Sequence, residues 1–280
     1  MANQEASKER VELATKKEHF EEAFKLVYRE YLKKGYCFPN PSEMRLSIYN
    51  AHPETATFCL WRQNTLLGTA SLVFDSPLGL PLESIYSSEV AELRRQGRKL
   101  CEVSLLALNS DLISKGIKPL YFAERLRRLY HLFKPVFWYA RKTIGTTDMC
   151  IAMNPVHKML YSSLYFEQFG VERTYESANN NPSIAMRLSF EQIEERARHK
   201  TPGLYKLFLG SPLDIPKINN VFQWSLSDFT YFFAENSNVL IEAKSEHLEY
   251  LSLTYPEFPL KQLVSRVNPL NGQPIFRKSS

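Results

Sequence analysis

Glu102 is the one acid in Leu100-Cys101-Glu102-Val103-Ser104-Leu105-Leu106-Ala107-Leu108, an otherwise apolar run. A carboxylate among Leu, Val and Ala must be solvated, paired or used, because an uncompensated buried charge is costly. Apolar neighbours disfavour the charged form and raise the pKa, which suits a general base working near neutral pH. The alternative is structural: an ion pair with Arg45 or Arg98 that ties a sheet to a loop. Other chemistries have no footing in the chain. The six histidines are scattered without metal-ligand spacing, and there is no Gly-x-Ser-x-Gly elbow, Walker loop or dinucleotide fingerprint.

Positive charge gathers around this run. Between Arg94 and Lys142 there are twelve Lys and Arg against three acids (Glu102, Asp111, Glu124), although the whole chain carries only +5. The middle of the chain therefore expects an anionic partner. Nucleic acid fits poorly, because the cations follow no reading motif. A hydrophobic content of 44% and a charged content of 23% over 280 residues describe a globular chain with one large domain, or a core with an appendage. No apolar run reaches the ~20 residues of a bilayer span, and the N-terminus lacks the apolar core of a signal peptide, so a cytoplasmic location is expected. Cys37, Cys59, Cys101 and Cys150 have no C-x-x-C spacing and read as buried free thiols.

The elements that must position Glu102 follow from periodicity. A short strand at Val11–Thr15 precedes a helix carrying Phe20, Ala23, Phe24, Val27, Tyr28, Tyr31 and Leu32, which Gly35 ends. Residues 36–54 read as loop, residues 55–63 and 66–75 as a hairpin, and Leu100–Leu108 as a strand covered on both faces. A helix from Pro119 bears the stripe Phe122, Leu126, Leu129, Tyr130, Phe133, Phe137 and Trp138, with Pro135 expected to kink or divide it. Asp148–Met153 reads as a buried strand, followed by a helix from Asn154-Pro155 to Gly170. A last hairpin, residues 171–177 and 184–190, turns around Asn179-Asn180-Asn181-Pro182. This order predicts an α/β (α+β) fold: a mixed, mostly antiparallel sheet with helices on both faces. Residues 1–190 form the main domain, and 191–280 a helical, aromatic-rich extension packed upon it.

That element order resembles the Gcn5-related N-acetyltransferase (GNAT) fold. Gly68-Thr69-Ala70-Ser71-Leu72-Val73, Gly79-Leu80-Pro81-Leu82, Gly97-Arg98-Lys99-Leu100-Cys101-Glu102-Val103-Ser104, Met44-Arg45-Leu46-Ser47 and Asn154-Pro155-Val156-His157-Lys158-Met159-Leu160-Tyr161 resemble the FeeM-type long-chain N-acyl amino acid synthases. These are relatives of the LuxI-type acyl-homoserine lactone synthases. The resemblance covers roughly residues 15–190. It implies an N-acyltransferase that binds no cofactor and moves a fatty acyl group from acyl carrier protein, or acyl-CoA, to the amine of an amino acid. Glu102 becomes the base and Tyr161 the acid that protonates the departing thiolate, although an aromatic on an amphipathic helix also serves as core. Arg45 becomes the grip on the acceptor carboxylate, or else a surface salt bridge. Ser104, Leu105, Leu106 and Ala107 become the acyl and pantetheine wall, with backbone amides polarising the carbonyl where the strand splays. Arg98, Lys99, Arg125, Arg127 and Arg128, with Arg94, Arg95, Lys115 and Lys118, become a docking patch for an acidic carrier protein. The aromatic stripe serves as acyl channel or as core, and His157 reads as a polar surface or cap neighbour. A lipid product implies proximity to a membrane.

Two departures from the family patterns matter. CoA-using GNAT enzymes carry a glycine-rich turn after the fourth strand that cradles the pyrophosphate. Here the place reads Asn109-Ser110-Asp111-Leu112-Ile113-Ser114-Lys115-Gly116-Ile117, which suits a carrier-protein donor. Leu105 stands where LuxI-type enzymes have arginine, which disfavours a homoserine lactone product. Three rival readings remain: an acetyl-CoA-dependent enzyme acting on a small amine, a lactone-type signal synthase and a catalytically silent acyl-carrier binder.

Overall fold

A computed structural model describes residues 9–113, 118–200, 205 and 223–266. The apolar runs assemble into one seven-stranded sheet of order β1-β2-β3-β4-β5-β7-β6. Its strands are β1 (Glu9–Leu13), β2 (Ala56–Arg62), β3 (Thr65–Phe74), β4 (Leu100–Leu108), β5 (Asp148–Met153), β6 (Glu167–Tyr175) and β7 (Asn181–Ser189). All neighbours are antiparallel except β4 and β5. The sheet is thus mixed and mostly antiparallel, the GNAT-like arrangement expected from the element order.

Because successive strand residues face opposite ways, the sheet feeds two apolar layers. Phe58, Leu72, Val103, Ile151 and Met186 pack on one face with Leu129, Leu132, Phe133 and Val136 of helix α3 (Lys118–Trp138). On the other face lie α1 (Lys17–Lys33) and α2 (Glu83–Arg95), whose buried residues include Phe20, Phe24 and Val27 in one, and Tyr86, Val90 and Leu93 in the other. Helix α3 runs unbroken through Pro135 and continues as a π-helical turn, Tyr139–Ile144, so the expected division does not occur. The expected long helix after Asn154 is also corrected. A 3-10 turn, Pro155–His157, leads into only α4 (Lys158–Ser162), and β6 already begins at Glu167. Gly170 is therefore a strand residue rather than a helix stop. Helix α2 has no counterpart among the sequence expectations, although Tyr86, Val90 and Leu93 keep helical spacing.

The C-terminal part continues as α5 (Phe190–Lys200) and, in 223–266, as α6 (Leu226–Phe229) with a π-helical turn at Thr230–Glu235, α7 (Ser245–Thr254) and α8 (Leu260–Arg266). Trp224, Phe229, Phe232 and Phe233 pack with Phe20 and Phe24 of α1. The indole N–H of Trp224 donates to Asn50 O at 3.0 Å, and Tyr255 OH donates to Ala51 O at 2.8 Å. These bonds brace the 45–51 segment that carries Arg45. All four cysteines are buried and free. No helix among the described residues is long and apolar enough to cross a membrane.

At Gly170 the fit is tight. A Cβ there would lie 2.6–2.8 Å from Tyr86 ring carbons and from the Ala185 Cβ. Tyr86 cannot retreat freely, because its hydroxyl donates to Ser183 O at 2.6 Å and Val171 O at 2.9 Å. Gly170→Ala is expected to lower the unfolding free energy by about 1–3 kcal/mol through overpacking, measured by urea denaturation; an unchanged value would show that the β6–α2 contact is loose.

Candidate active site

Strands β4 and β5 pair only at Leu100–Asp148, Cys101–Met149 and Glu102–Cys150, although β4 runs on to Leu108. Opposite β3 the ladder slips between Thr69 and Ser71, and Leu105 takes φ of 50°. A branched residue in the left-handed region costs about 1–2 kcal/mol, so the surrounding packing enforces this bulge. Between the diverging strands opens a cleft of about 1320 Å³, part of it open to solvent, into which Ser104, Leu105 and Leu106 face. Ala107 does not line it; its side chain is buried with Cys59, Trp61 and α1. That part of the expected acyl wall is thereby corrected.

Glu102 stands on the last β4–β5 pair, at the root of the cleft. It is 2% exposed, and its Oε2 accepts the Leu82 N–H at 2.8 Å. No cation pairs with it among the described residues. Arg98 instead bonds Asp148 at 2.5 Å, and Arg45 donates to Ser177 O and stacks on the Tyr31 ring at 5.4 Å. The ion-pair alternative for Glu102 does not occur. Burial pushes its carboxyl well above the usual carboxylate range; the Leu82 N–H opposes this and the charge of Glu83 adds to it. The donor loop is itself clamped. Glu83 Oε1 accepts the Leu80 N–H at 2.7 Å, while Arg94 bridges Glu83 and Asp75 at 2.5 and 2.6 Å.

The cleft has two unlike sides. On the α2 side, with Glu102, lie Arg45, Tyr175 and Ser183. Tyr175 OH donates to Pro81 O at 3.2 Å. Among the described residues the Nε of Arg45 and the Oγ of Ser183 are buried without a hydrogen-bond partner, which suits both to bonding a polar ligand. On the α3 side the lining is apolar, with Leu106, Leu108, Leu129, Ile151, Met153 and Leu160, and includes Tyr161. Tyr161 is 5% exposed, and burial raises its hydroxyl pKa, with Tyr31 adding and Arg125 opposing. It stays protonated at neutral pH and can donate. Of the expected stripe only Leu129 lines the cleft: Phe133 and Phe137 are core, and Phe122 is exposed.

The expected docking cations divide. Arg125 lines the cleft mouth with Lys34, Tyr36 and His157. Arg127 makes two bonds to Glu9, at 2.8 and 2.9 Å, and Arg128 is fully buried against Glu124 at 2.5 Å and Leu112 O at 2.8 Å. Arg98 neutralises the buried Asp148, and Lys99, though exposed, precedes β4 at the end remote from the cleft. Arg98, Arg127 and Arg128 thus serve internal ion pairs rather than an open patch. Arg94 is likewise engaged; Lys115 lies outside the described residues, as does the Lys118 side chain.

Three cleft residues, His157, Tyr175 and Ser183, lie outside the site expected from the sequence, which named only His157, as a polar surface or cap neighbour. His157 lines the cleft, and burial, with Arg125 and Lys34, brings its pKa down to about 4, so it is a neutral imidazole at pH 7. Its place one turn before Tyr161 was the available signal. Ser183 and Tyr175 flank the Asn-rich turn of the last hairpin, where nothing in residue type marks them.

The sequence profile of the N-acyl amino acid synthase FeeM matches residues 22–189. The solved structure of FeeM, an N-acyl amino acid synthase from uncultured soil microbes, is 29% identical, with 68% of this chain and 94% of that one covered at a TM-score of 0.57. The crystal structure of the AHL synthase LasI is 14% identical, with 74% and 98% covered at a TM-score of 0.50, a likeness of fold alone. No curated protein sequence matches. With the profile spanning more than half its length and a buried acid at the root of an apolar cleft, the chain belongs to the FeeM family of N-acyl amino acid synthases and is an N-acyltransferase.

Proposed function

We propose that this enzyme moves a medium or long fatty acyl group from the thioester of an acyl carrier protein to the α-amine of an amino acid, with Glu102 as general base. The observation that carries this reading is a carboxyl group buried without a cation beside an open cleft. An α-ammonium must lose a proton before its nitrogen can attack. A carboxylate whose pKa is raised by burial accepts that proton more readily than an exposed one. The nitrogen then forms the C–N bond at the thioester carbonyl, the C–S bond breaks, and the sulfur takes a proton from the Tyr161 hydroxyl. The second amine proton leaves to solvent, Glu102 gives up the proton it took and Tyr161 regains one, so the enzyme is restored and each turnover releases one proton overall. The bulge at Leu105 takes the strand out of the β5 ladder beside the opening, and backbone amides there are the oxyanion donors of this reading.

The acceptor belongs on the α2 side, where Arg45 offers a guanidinium to its carboxylate and Ser183 a hydroxyl. The acyl chain belongs against the apolar α3 side. A carrier-protein donor is supported at the turn after β4. There Glu30, itself 2% exposed, accepts from Ser110 N–H at 3.1 Å and Ser110 OH at 2.9 Å. A carboxylate occupying that amide opposes a nucleotide pyrophosphate, whereas a carrier-protein thioester presents none.

Matched acyl-carrier and acyl-CoA thioesters are expected to differ in kcat/KM by at least about tenfold in favour of the carrier, roughly 1.4 kcal/mol of transition-state binding; equal values would return the acyl-CoA reading. Glu102→Gln keeps the volume and the Leu82 bond and is expected to lower kcat by about 100-fold or more, read in a single-turnover amide assay. Loss below tenfold would remove Glu102 as base. Ser183→Ala removes a buried hydroxyl that lacks a partner, so stability is expected to hold or rise while the acceptor KM climbs by about tenfold, one hydrogen bond's worth. Unfolding curves and KM measured together decide this, and an unchanged KM would take Ser183 out of the acceptor site.

A further inference from the structure

The large apolar side chains left in water are unevenly placed. Among the described residues, seven of the eleven that are exposed stand within two positions of a cleft-lining residue. On the α3 side Leu120 and Phe122, 65% and 56% exposed, flank cleft-lining Tyr121. On the α4 side Val156 and Met159, 74% and 87% exposed, bracket cleft-lining His157. Leu32 stands beside Tyr31 of α1, and Leu112 beside Ile113. The core does not use these side chains, since none of the six belongs to a buried cluster. Three cations accompany it. Lys34 and Arg125 line the mouth, and exposed Lys158 lies between Val156 and Met159 in α4 and its lead-in. None of the three holds a salt bridge among the described residues, in contrast to the neighbouring Lys33, which pairs with Asp111 at 2.6 Å.

We propose that this apolar, cation-studded rim is a docking surface for an anionic lipid bilayer, placing the open end of the cleft against the membrane. Apolar side chains projecting beside unpaired cations match the two layers of a bilayer surface, acyl chains below and anionic headgroups above. A docking face for an acidic protein is led by charge, with large apolar side chains confined to a buried centre; here exposed apolar groups adjoin cleft-lining residues on four separate segments. The inference rests on the acyl-transfer reading only for its purpose, since a product with a fatty chain has low solubility in water and could pass from the cleft directly into the acyl layer.

The test is co-sedimentation of the full chain, without substrates, with vesicles of phosphatidylcholine alone or mixed with phosphatidylglycerol. Binding to the anionic vesicles is expected, weakening with added salt. The V156E/M159E double variant, altered only at exposed positions, is expected to bind at least about tenfold more weakly, the scale of two inserted apolar side chains lost. M159L is expected to bind as the parent does. Carrier-dependent turnover in vesicle-free buffer is expected to be unchanged in both. Absence of binding to anionic vesicles overturns the proposal. So does a double variant that binds vesicles normally but loses carrier-dependent turnover, which would give the rim to the carrier protein. Vesicle binding by a protein that acylates no amine would sink the proposed function and leave the rim assignment standing.

Discussion

Strands β4 and β5 hold together for three residue pairs and then diverge, with Glu102 on the last pair. The divergence needs a bend in β4, and the bend is the bulge at Leu105, a branched residue held at positive φ. From that one irregularity come the opening itself and the position of a carboxyl group at its root. A regular β4–β5 ladder would leave Glu102 in a closed sheet, where burial without a use would simply destabilise the fold.

The charges around the site are arranged so that this carboxyl stays without a counter-ion. Arg98 is held by Asp148, Arg94 by Asp75 and Glu83, Arg127 by Glu9, and Arg128 by Glu124. These four arginines are thus committed elsewhere, and the one hydrogen bond donated to the carboxyl among the described residues comes from a backbone amide. A guanidinium there would hold the carboxyl ionised and weaken it as a base. Arg45, the remaining candidate, is turned toward Ser177 and Tyr31, where it can meet a carboxylate carried by a substrate.

Much of this was legible in the residues. The strands announced themselves through continuous or alternating apolar runs, and Glu102 stood out because acids are rare within them. The excess of cations was also plain. Their pairing was not, because Glu9, Asp148 and Glu124 approach Arg127, Arg98 and Arg128 through tertiary contacts or helix geometry that net charge does not resolve. Helix α2 escaped because its apolar positions are few and it follows a proline-rich loop. Gly170 read as a helix stop, whereas its small size serves the Tyr86 ring. Ser183 and His157 acquire meaning only from the cleft that the strand divergence creates. Aromatic density does not reveal that Trp224 and Tyr255 brace the Arg45 segment through hydrogen bonds.

The central claim is that burial without a cation leaves Glu102 poised to take a proton. Carbon-13 NMR of glutamate-labelled protein, with the Glu102 carboxyl resonance assigned by its loss in Glu102→Gln, measures this directly across a pH titration. The account predicts a midpoint well above the ordinary glutamate value of about 4.5. A midpoint at or below that value would mean the carboxyl is solvated or paired in solution, and would contradict the account.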